Sequence, residues 1–168
     1  LQALVKIAET NLADRVYVHM DTYWKDLEHV IRPRESIAPL LMLNLETVEH
    51  IYIREYKGGV PLVLGPEFGV LHHLSYAGPD ERILRKISTW SHRHELQSRW
   101  FESVWKSWDA DKTLRNLHPT HPPAYGWTER IELPEIFKNL GVRAETTEIL
   151  PVCAWPKVSV VIPLYGGP

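Results

Sequence analysis

Carboxylates and imidazoles stand at four places along the chain where they could bind a divalent cation or move a proton. Asp21 ends a β-branched and aromatic run that starts near residue 15, so its carboxylate is predicted at the carboxyl end of a strand. His72 and His73 are consecutive in another strand-like run and must therefore point to opposite faces of a sheet. His92 follows a helical segment, and Glu67 lies in a Gly- and Pro-flanked turn before the histidine strand. A catalytic site requires Asp21, Glu67 and His73 to converge on one cleft.

The histidine content also raises a metal-dependent hydrolase as an alternative. The nine His include two close pairs, His92 with His94 and His118 with His121. The His-Glu-x-x-His spacing of zinc hydrolases is absent, and Cys153 is the single cysteine, so no cysteine pair contributes to a zinc site. His92 and His94 are two residues apart and do not share a helical face. The sequence therefore disfavours the hydrolase.

Aromatic residues are abundant, with seven Trp and seven Tyr. Aromatic rings can stack on the apolar face of a sugar, but they are also large core residues. Trp24, Trp90 and Trp100 are candidates for stacking, whereas Trp105 and Trp108 have the spacing of a helix packed on a sheet and are predicted to be core. These residues keep open a non-catalytic carbohydrate-binding or protein-interaction module as the alternative function.

Charge and hydropathy restrict the class of partner and the compartment. The formal net charge is −2, with 19 basic and 21 acidic residues, which gives no footprint for nucleic acid. No apolar run approaches the ~20 residues that a membrane helix needs. One cysteine in the whole chain favours a reducing compartment. We therefore predict no nucleic-acid partner, no transmembrane segment, and a cytoplasmic location or peripheral association with the inner face of the membrane.

Alternating strand and helix patterns predict an α/β fold. The clearest helix begins at Pro79, which suits a first turn; Asp80 favours its positive end, and Ile83 and Ile87 lie on one face. Further helices are predicted at 1–12, 96–108 and 134–140. Strands are predicted at 15–20, 50–56, 61–64, 69–76 and 157–163. A loop is predicted at 118–134, and another begins at residue 22 and leads into a short helix.

The run 158–167, Val-Ser-Val-Val-Ile-Pro-Leu-Tyr-Gly-Gly, resembles the first strand and loop of family 2 glycosyltransferases. Gly166 stands where that family usually has Asn. The resemblance implies a partial GT-A-like sheet with flanking helices, truncated at both ends. Residues 1–150 would form the distal part of one such domain, and residues 151–168 a linker and the first strand of a following domain. We expect the isolated fragment to be inactive.

A second resemblance covers more of the chain. The strand ending at Asp21 is similar to the one that carries the metal-binding Asp-x-Asp motif in GT-A folds, although Tyr23 replaces the second Asp. His73-Leu74-Ser75-Tyr76, followed by Ser91-His92, resembles the distal part of several GT-A enzymes, including the β-1,4-mannosyl-glycoprotein N-acetylglucosaminyltransferases. The resemblance implies a divalent Mn or Mg ion held by Asp21, His73 and His92.

The implied reaction is transfer of a sugar from a nucleotide-sugar donor to a glycan or other hydroxyl acceptor. In bacterial relatives it builds cell-surface polysaccharide. An inverting transfer needs a carboxylate base near the acceptor hydroxyl, and Glu67 is the predicted catalytic residue. Trp24, Tyr76 and Glu95 are the predicted substrate-binding residues.

Overall fold

Nine strands and three helices make up the part of the chain that the computed structural model describes, residues 2–52, 55–91, 93–110 and 114–139. The helices are α1 (Gln2–Glu9), α2 (Asp80–Thr89) and α3 (Glu135–Asn139). The strands are β1 (Arg15–Val18), β2 (Met20–Lys25), β3 (His29–Arg32), β4 (Leu40–Leu43), β5 (Glu49–Tyr52), β6 (Glu55–Lys57), β7 (Pro61–Leu64), β8 (Leu71–Ala77) and β9 (Trp127–Arg130). His92 and the segment 158–167 lie outside the described residues, so what was predicted for them stays a prediction.

The strands form three sheets, with orders β4-β1-β7, β8-β2-β3-β9 and β5-β6. The pairs β1/β7 and β2/β8 are parallel, and the remaining pairs are antiparallel. The chain is therefore mixed α/β, as its sequence predicted. In the described part, no helix is both long enough and apolar enough to cross a bilayer.

Strand β2 corrects the prediction of a loop after Asp21. Residues 20–24 are all buried, and the strand lies between β8 and β3. Thr22, Tyr23 and Trp24 are β-branched or aromatic, and such side chains suit a sheet that is covered on both faces. Pairing with β3 and β8 and burial on both faces therefore keep the chain in a strand conformation beyond Asp21, up to Lys25.

The four-stranded sheet has two covered faces, which we name after consecutive residues of β2. The Trp24 face packs against buried residues of α2 and of the segment that follows it, namely Ile83, Ile87, Trp100, Phe101 and Trp105. The Tyr23 face packs against Phe137 of α3, together with Val30, Leu74 and Ala77. Consecutive strand residues alternate between these faces, and this alternation decides which polar side chains can meet.

Helix α2 forms as predicted, with Pro79 before its first turn and Ile83 and Ile87 buried. The helix predicted at 96–108 is wrong over most of its length. A single π-helical turn, Phe101–Trp105, occupies the middle of that range. Trp100 and Trp105 are both fully buried and five residues apart, a spacing that the i→i+5 hydrogen bonding of a π turn accommodates.

Two other sequence predictions need correction. The single strand predicted at 50–56 is instead two strands, β5 and β6, paired antiparallel. Strand β9 lies inside the predicted loop 118–134, where it completes the sheet by pairing with β3. In both cases the strand depends on the partner strand it pairs with, and a local hydrophobic pattern does not reveal that partner.

Candidate functional site

Asp21 lies on the Tyr23 face and is bound by two arginines. One carboxylate oxygen accepts hydrogen bonds from Arg32 Nη1 at 3.1 Å and from Arg34 Nε at 2.9 Å, and the other accepts from Arg34 Nη2 at 3.2 Å. Burial raises the pKa of the Asp21 carboxyl, but the hydrogen bonds and charges of Arg34 and Arg32 outweigh it and leave the pKa below its usual value. Asp21 is therefore an ionised carboxylate whose two oxygens are both occupied.

His72 shares this face with Asp21. The Tyr23 hydroxyl and His72 Nδ1 are 2.8 Å apart, and β2 and β8 pair Asp21 directly with His72. Burial lowers the pKa of His72, opposed by the negative charge of Asp21. Thr22 pairs with His73, so His73 lies on the opposite face of the sheet from Asp21. The alternation of the two histidines is as the sequence predicted, but it separates Asp21 from His73.

A connected set of polar side chains surrounds His73 on the Trp24 face. We call Thr22, Glu35, His73, Ser75 and Tyr125 the Glu35 network. The Thr22 hydroxyl donates to the Glu35 carboxylate and is 3.1 Å from His73 Nδ1, and His73 Nε2 is 2.5 Å from the Ser75 hydroxyl. The Tyr125 hydroxyl lies close enough to Thr22 and Glu35 for both to influence its pKa. Thr22 and Tyr125 are each 2 % exposed, whereas Glu35, His73 and Ser75 are partly exposed, so the network extends from the core to the surface.

The donors and acceptors of the network fix where its protons lie. Thr22 has one hydroxyl proton, which points to Glu35, so its oxygen must accept from His73 Nδ1–H. Burial, followed by the charge of Glu35, raises the pKa of the Tyr125 hydroxyl, which therefore stays protonated. Glu35 thus accepts a hydrogen bond from Thr22, and the oxygen of Thr22 in turn accepts one from the oriented imidazole of His73.

The predicted substrate-binding aromatics lie behind this network, in the core. Trp24 is 0 % and Tyr76 3 % exposed, with ring centroids 5.8 Å apart. Trp24 therefore has no free face on which a sugar could stack in this conformation. Among the other candidates Trp100 and Trp105 are also fully buried, whereas Trp90 is half-buried at the end of α2.

Glu67 and Glu95 are exposed residues of short 3₁₀ turns. Glu67 lies in Pro66–Phe68, between β7 and β8, and Glu95 in Arg93–Glu95, where its carboxylate is 3.4 Å from His94 Nε2. The hydrogen bonds and ion pairs of the described residues do not connect either acid to Asp21. Because Asp21 and His73 lie on opposite faces of the sheet, the predicted set of Asp21, Glu67 and His73 does not converge on one cleft.

The predicted metal ligands Asp21 and His73 lie on opposite faces of the sheet, and the third, His92, lies outside the described residues. Within residues 2–52, 55–91, 93–110 and 114–139, no group of three or more His, Cys, Asp or Glu is placed to hold an ion. Asp21, the carboxylate predicted to bind it, has its oxygens taken by Arg32 and Arg34. A Mn or Mg ion at Asp21 would have to displace these arginines, so we derive no catalytic step from a metal.

Sequence reasoning missed Glu35, Thr22 and the two arginines. Thr22 is 13 residues from Glu35 and 51 from His73 along the chain. No local motif joins positions so far apart, and Glu35 lies in an irregular segment without periodicity. The one usable signal was the alternation within β2, had residues 20–25 been recognised as a strand.

Comparisons with known proteins give no relative: no family model, no curated protein and no solved structure matches this chain. Its function must therefore be argued from the residues and their geometry.

Proposed function

We propose that this chain is part of a nucleotide-sugar-dependent glycosyltransferase that transfers a sugar to a hydroxyl acceptor. The Glu35 network is the observation that carries the proposal. It supplies a carboxylate, an imidazole and hydroxyls at adjoining positions in a partly buried site that the acceptor can reach from the solvent side. The resemblance of 73–76 and 158–167 to glycosyltransferase segments supports the same reaction class. The acceptor would belong to a cell-surface polysaccharide, with the enzyme at the inner face of the membrane.

Glu35 takes the role of general base in this proposal. Its carboxylate accepts the proton of the acceptor hydroxyl while that oxygen bonds to the anomeric carbon of the donor sugar. The bond from the anomeric carbon to the nucleoside diphosphate breaks, and the diphosphate leaves with the electron pair. Thr22 orients the carboxylate, and His73 orients Thr22. Glu67, the base predicted from the sequence, is the competing assignment.

Isosteric variants of the two acids test the assignment. The protein at its full encoded length is incubated with a panel of nucleotide sugars and saccharide acceptors, and product is measured by mass spectrometry. We expect Glu35→Gln to lower kcat about 10²–10⁴-fold, because the amide cannot accept the proton. Glu102→Gln, at an exposed position of the π turn, is the matched control and should leave kcat unchanged.

Three results would change the proposal. A loss of activity in Glu67→Gln but not in Glu35→Gln would move the base to Glu67. Full inhibition by a chelator, reversed by Mn²⁺, would restore the predicted metal. Saccharide binding by the wild type without transfer from any donor would refute the enzyme and favour the carbohydrate-binding module.

A further inference from the structure

Lys86 places an ammonium group among aromatic rings on the side of α2 that faces β8. Its Nζ lies 4.8 Å from the centroid of the Tyr76 ring and 5.8 Å from that of Trp90. Tyr76 is buried and Trp90 is half-buried, so the ammonium lies where a core wall meets solvent. Ring faces attract a cation, but they do not neutralise its charge.

The charged side chain that most affects the pKa of Lys86 is another cation, Arg82. Burial, and then the positive charge of Arg82, lower the pKa of Lys86. Arg82 is itself committed to backbone carbonyls of Leu74, Ser75 and Ala77 in β8. No ion pair joins Lys86 to a carboxylate of the described residues, in contrast to Lys25, which pairs with Asp80 at 3.8 Å. Lys86 is therefore a partly buried cation without a carboxylate partner among the described residues.

His118 adds an oriented donor beside these rings. Its Nδ1 accepts the backbone N–H of Thr120 at 3.2 Å and of His121 at 2.9 Å, so the ring proton lies on Nε2. Burial, His121 and Lys86 lower the pKa of His118 to about 4, so the ring is neutral near pH 7. The His118 ring centroid lies 6.4 Å from those of Tyr76 and Trp90.

We propose that Lys86, Trp90 and His118 form a subsite for a sugar that carries an anionic group. The ammonium of Lys86 and the Nε2–H of His118 bind the anionic oxygens, and the indole of Trp90 packs on the sugar ring. A uronic acid carboxylate and a sugar phosphate present the same chemistry to this subsite. The choice of a sugar as ligand rests on the proposed function, and it narrows the substrates of the transferase to acidic saccharides or sugar phosphates.

The test measures binding by the 168-residue chain without any donor or turnover. Methyl glucuronide, glucose 1-phosphate and neutral methyl glucoside are titrated by ligand-observed NMR. We expect the glucuronide or the phosphate to bind at least about tenfold more tightly than the neutral glucoside, because an ammonium–anion contact is a charge-assisted hydrogen bond. Whichever anion binds identifies the source of the anionic group.

Two variants and one control assign the effect to Lys86. Lys86→Met should reduce the affinity for the anionic sugar to that for the glucoside, and Lys86→Arg should retain most of it. Lys106→Met is the matched control, because Lys106 Nζ also lies over an aromatic ring, 5.3 Å from Phe101. Equal affinity for charged and neutral sugars, wild-type affinity in Lys86→Met, or an equal loss in Lys106→Met would overturn the subsite. Since no transfer is measured, an inactive enzyme with an intact subsite would refute only the proposed function.

Discussion

At the scale of single residues, Asp21 could be a metal ligand or a structural ion-pair partner until the side chains around it are known. A carboxylate at the end of a strand is a reasonable metal ligand when only the sequence is considered. Arg32 and Arg34 come from the strand β3 and the segment after it, and they bring two guanidinium groups to the carboxylate. A carboxylate with that much positive charge around it is better suited to tying β2 to its neighbour than to binding a cation.

The Glu35 network also shows what residue-level prediction can reach. The sequence identified His73 and the opposite orientation of His72, because both follow from the period of a strand. It did not identify Glu35, because Glu35 lies in the irregular segment after β3, and its contact with Thr22 in β2 has no periodic signature. The sequence was enough to recognise residues that could do chemistry. Their hydrogen-bond partners could not be identified without knowing that β2 pairs with β8.

His118 should make the stability of the protein fall as the pH falls below about 6.5. Its pKa in the folded state is about 4, below the value of about 6.5 expected in the unfolded chain. The unfolded chain therefore binds the proton first, and between about pH 6.5 and 4 protonation favours unfolding by up to about 3 kcal/mol. Urea unfolding across this range measures the effect.

His118→Asn isolates that contribution, because an Asn side chain can still accept the N–H groups of the next turn but does not titrate. The variant should lose the pH-dependent part, while the exposed control His50→Asn should keep it. An unchanged slope in His118→Asn would show that other groups produce the acid sensitivity.

At the scale of secondary structure, α2 is the element that covers the Trp24 face. Asp80 at its start accepts the Trp105 Nε1–H at 2.7 Å, and Ile83 and Ile87 enter the core. Its sequence carried a helical period and acidic residues in the first turn, so it was predictable. The π turn was not, because a stretch with Trp at 100, 105 and 108 also satisfies an ordinary helical pattern.

Adjacent residues of α2 give a test of this packing. Ile83 is 0 % exposed, and Leu84 is 45 % exposed. We expect Ile83→Ala to lower the free energy of unfolding by about 3 kcal/mol, because it leaves a cavity against the aromatic core. Leu84→Ala, on the solvent side of the same helical turn, should cost less than about 1 kcal/mol. Equal losses in urea titrations of the two variants would contradict the assignment of the buried face.

At the scale of the whole molecule, the mixed α/β class was predictable from alternating strand and helix patterns. The order of strands was not, because β9 joins β3 across nearly a hundred residues and β2 lies between β3 and β8. Such long-range pairings depend on burial in the assembled sheet. The GT-A-like arrangement and the division into 1–150 and 151–168 therefore stay predictions.

Truncation tests that division. The buried hydrophobic residues of the described chain extend from Ile7 to Phe137. We expect a chain of residues 1–150 to unfold with a free energy within about 0.5 kcal/mol of the 168-residue chain, since its core is retained. A chain of residues 1–110 lacks Leu117, Tyr125 and β9, and should give no cooperative transition. A large loss of stability in 1–150 would place residues 151–168 within the same folding unit.

The three buried indoles of the Trp24 face have a consequence for spectroscopy. The ring centroid of Trp24 lies 5.0 Å from that of Trp105 and 6.1 Å from that of Trp100, with interplanar angles of 61° and 90°. Chromophores held this close and at fixed inclinations couple their electronic transitions and produce strong near-ultraviolet circular dichroism. That signal depends on fixed side-chain packing and disappears when only secondary structure persists. The protein thus contains its own optical reporter, which contacts Tyr125 of the Glu35 network through the ring of Tyr76.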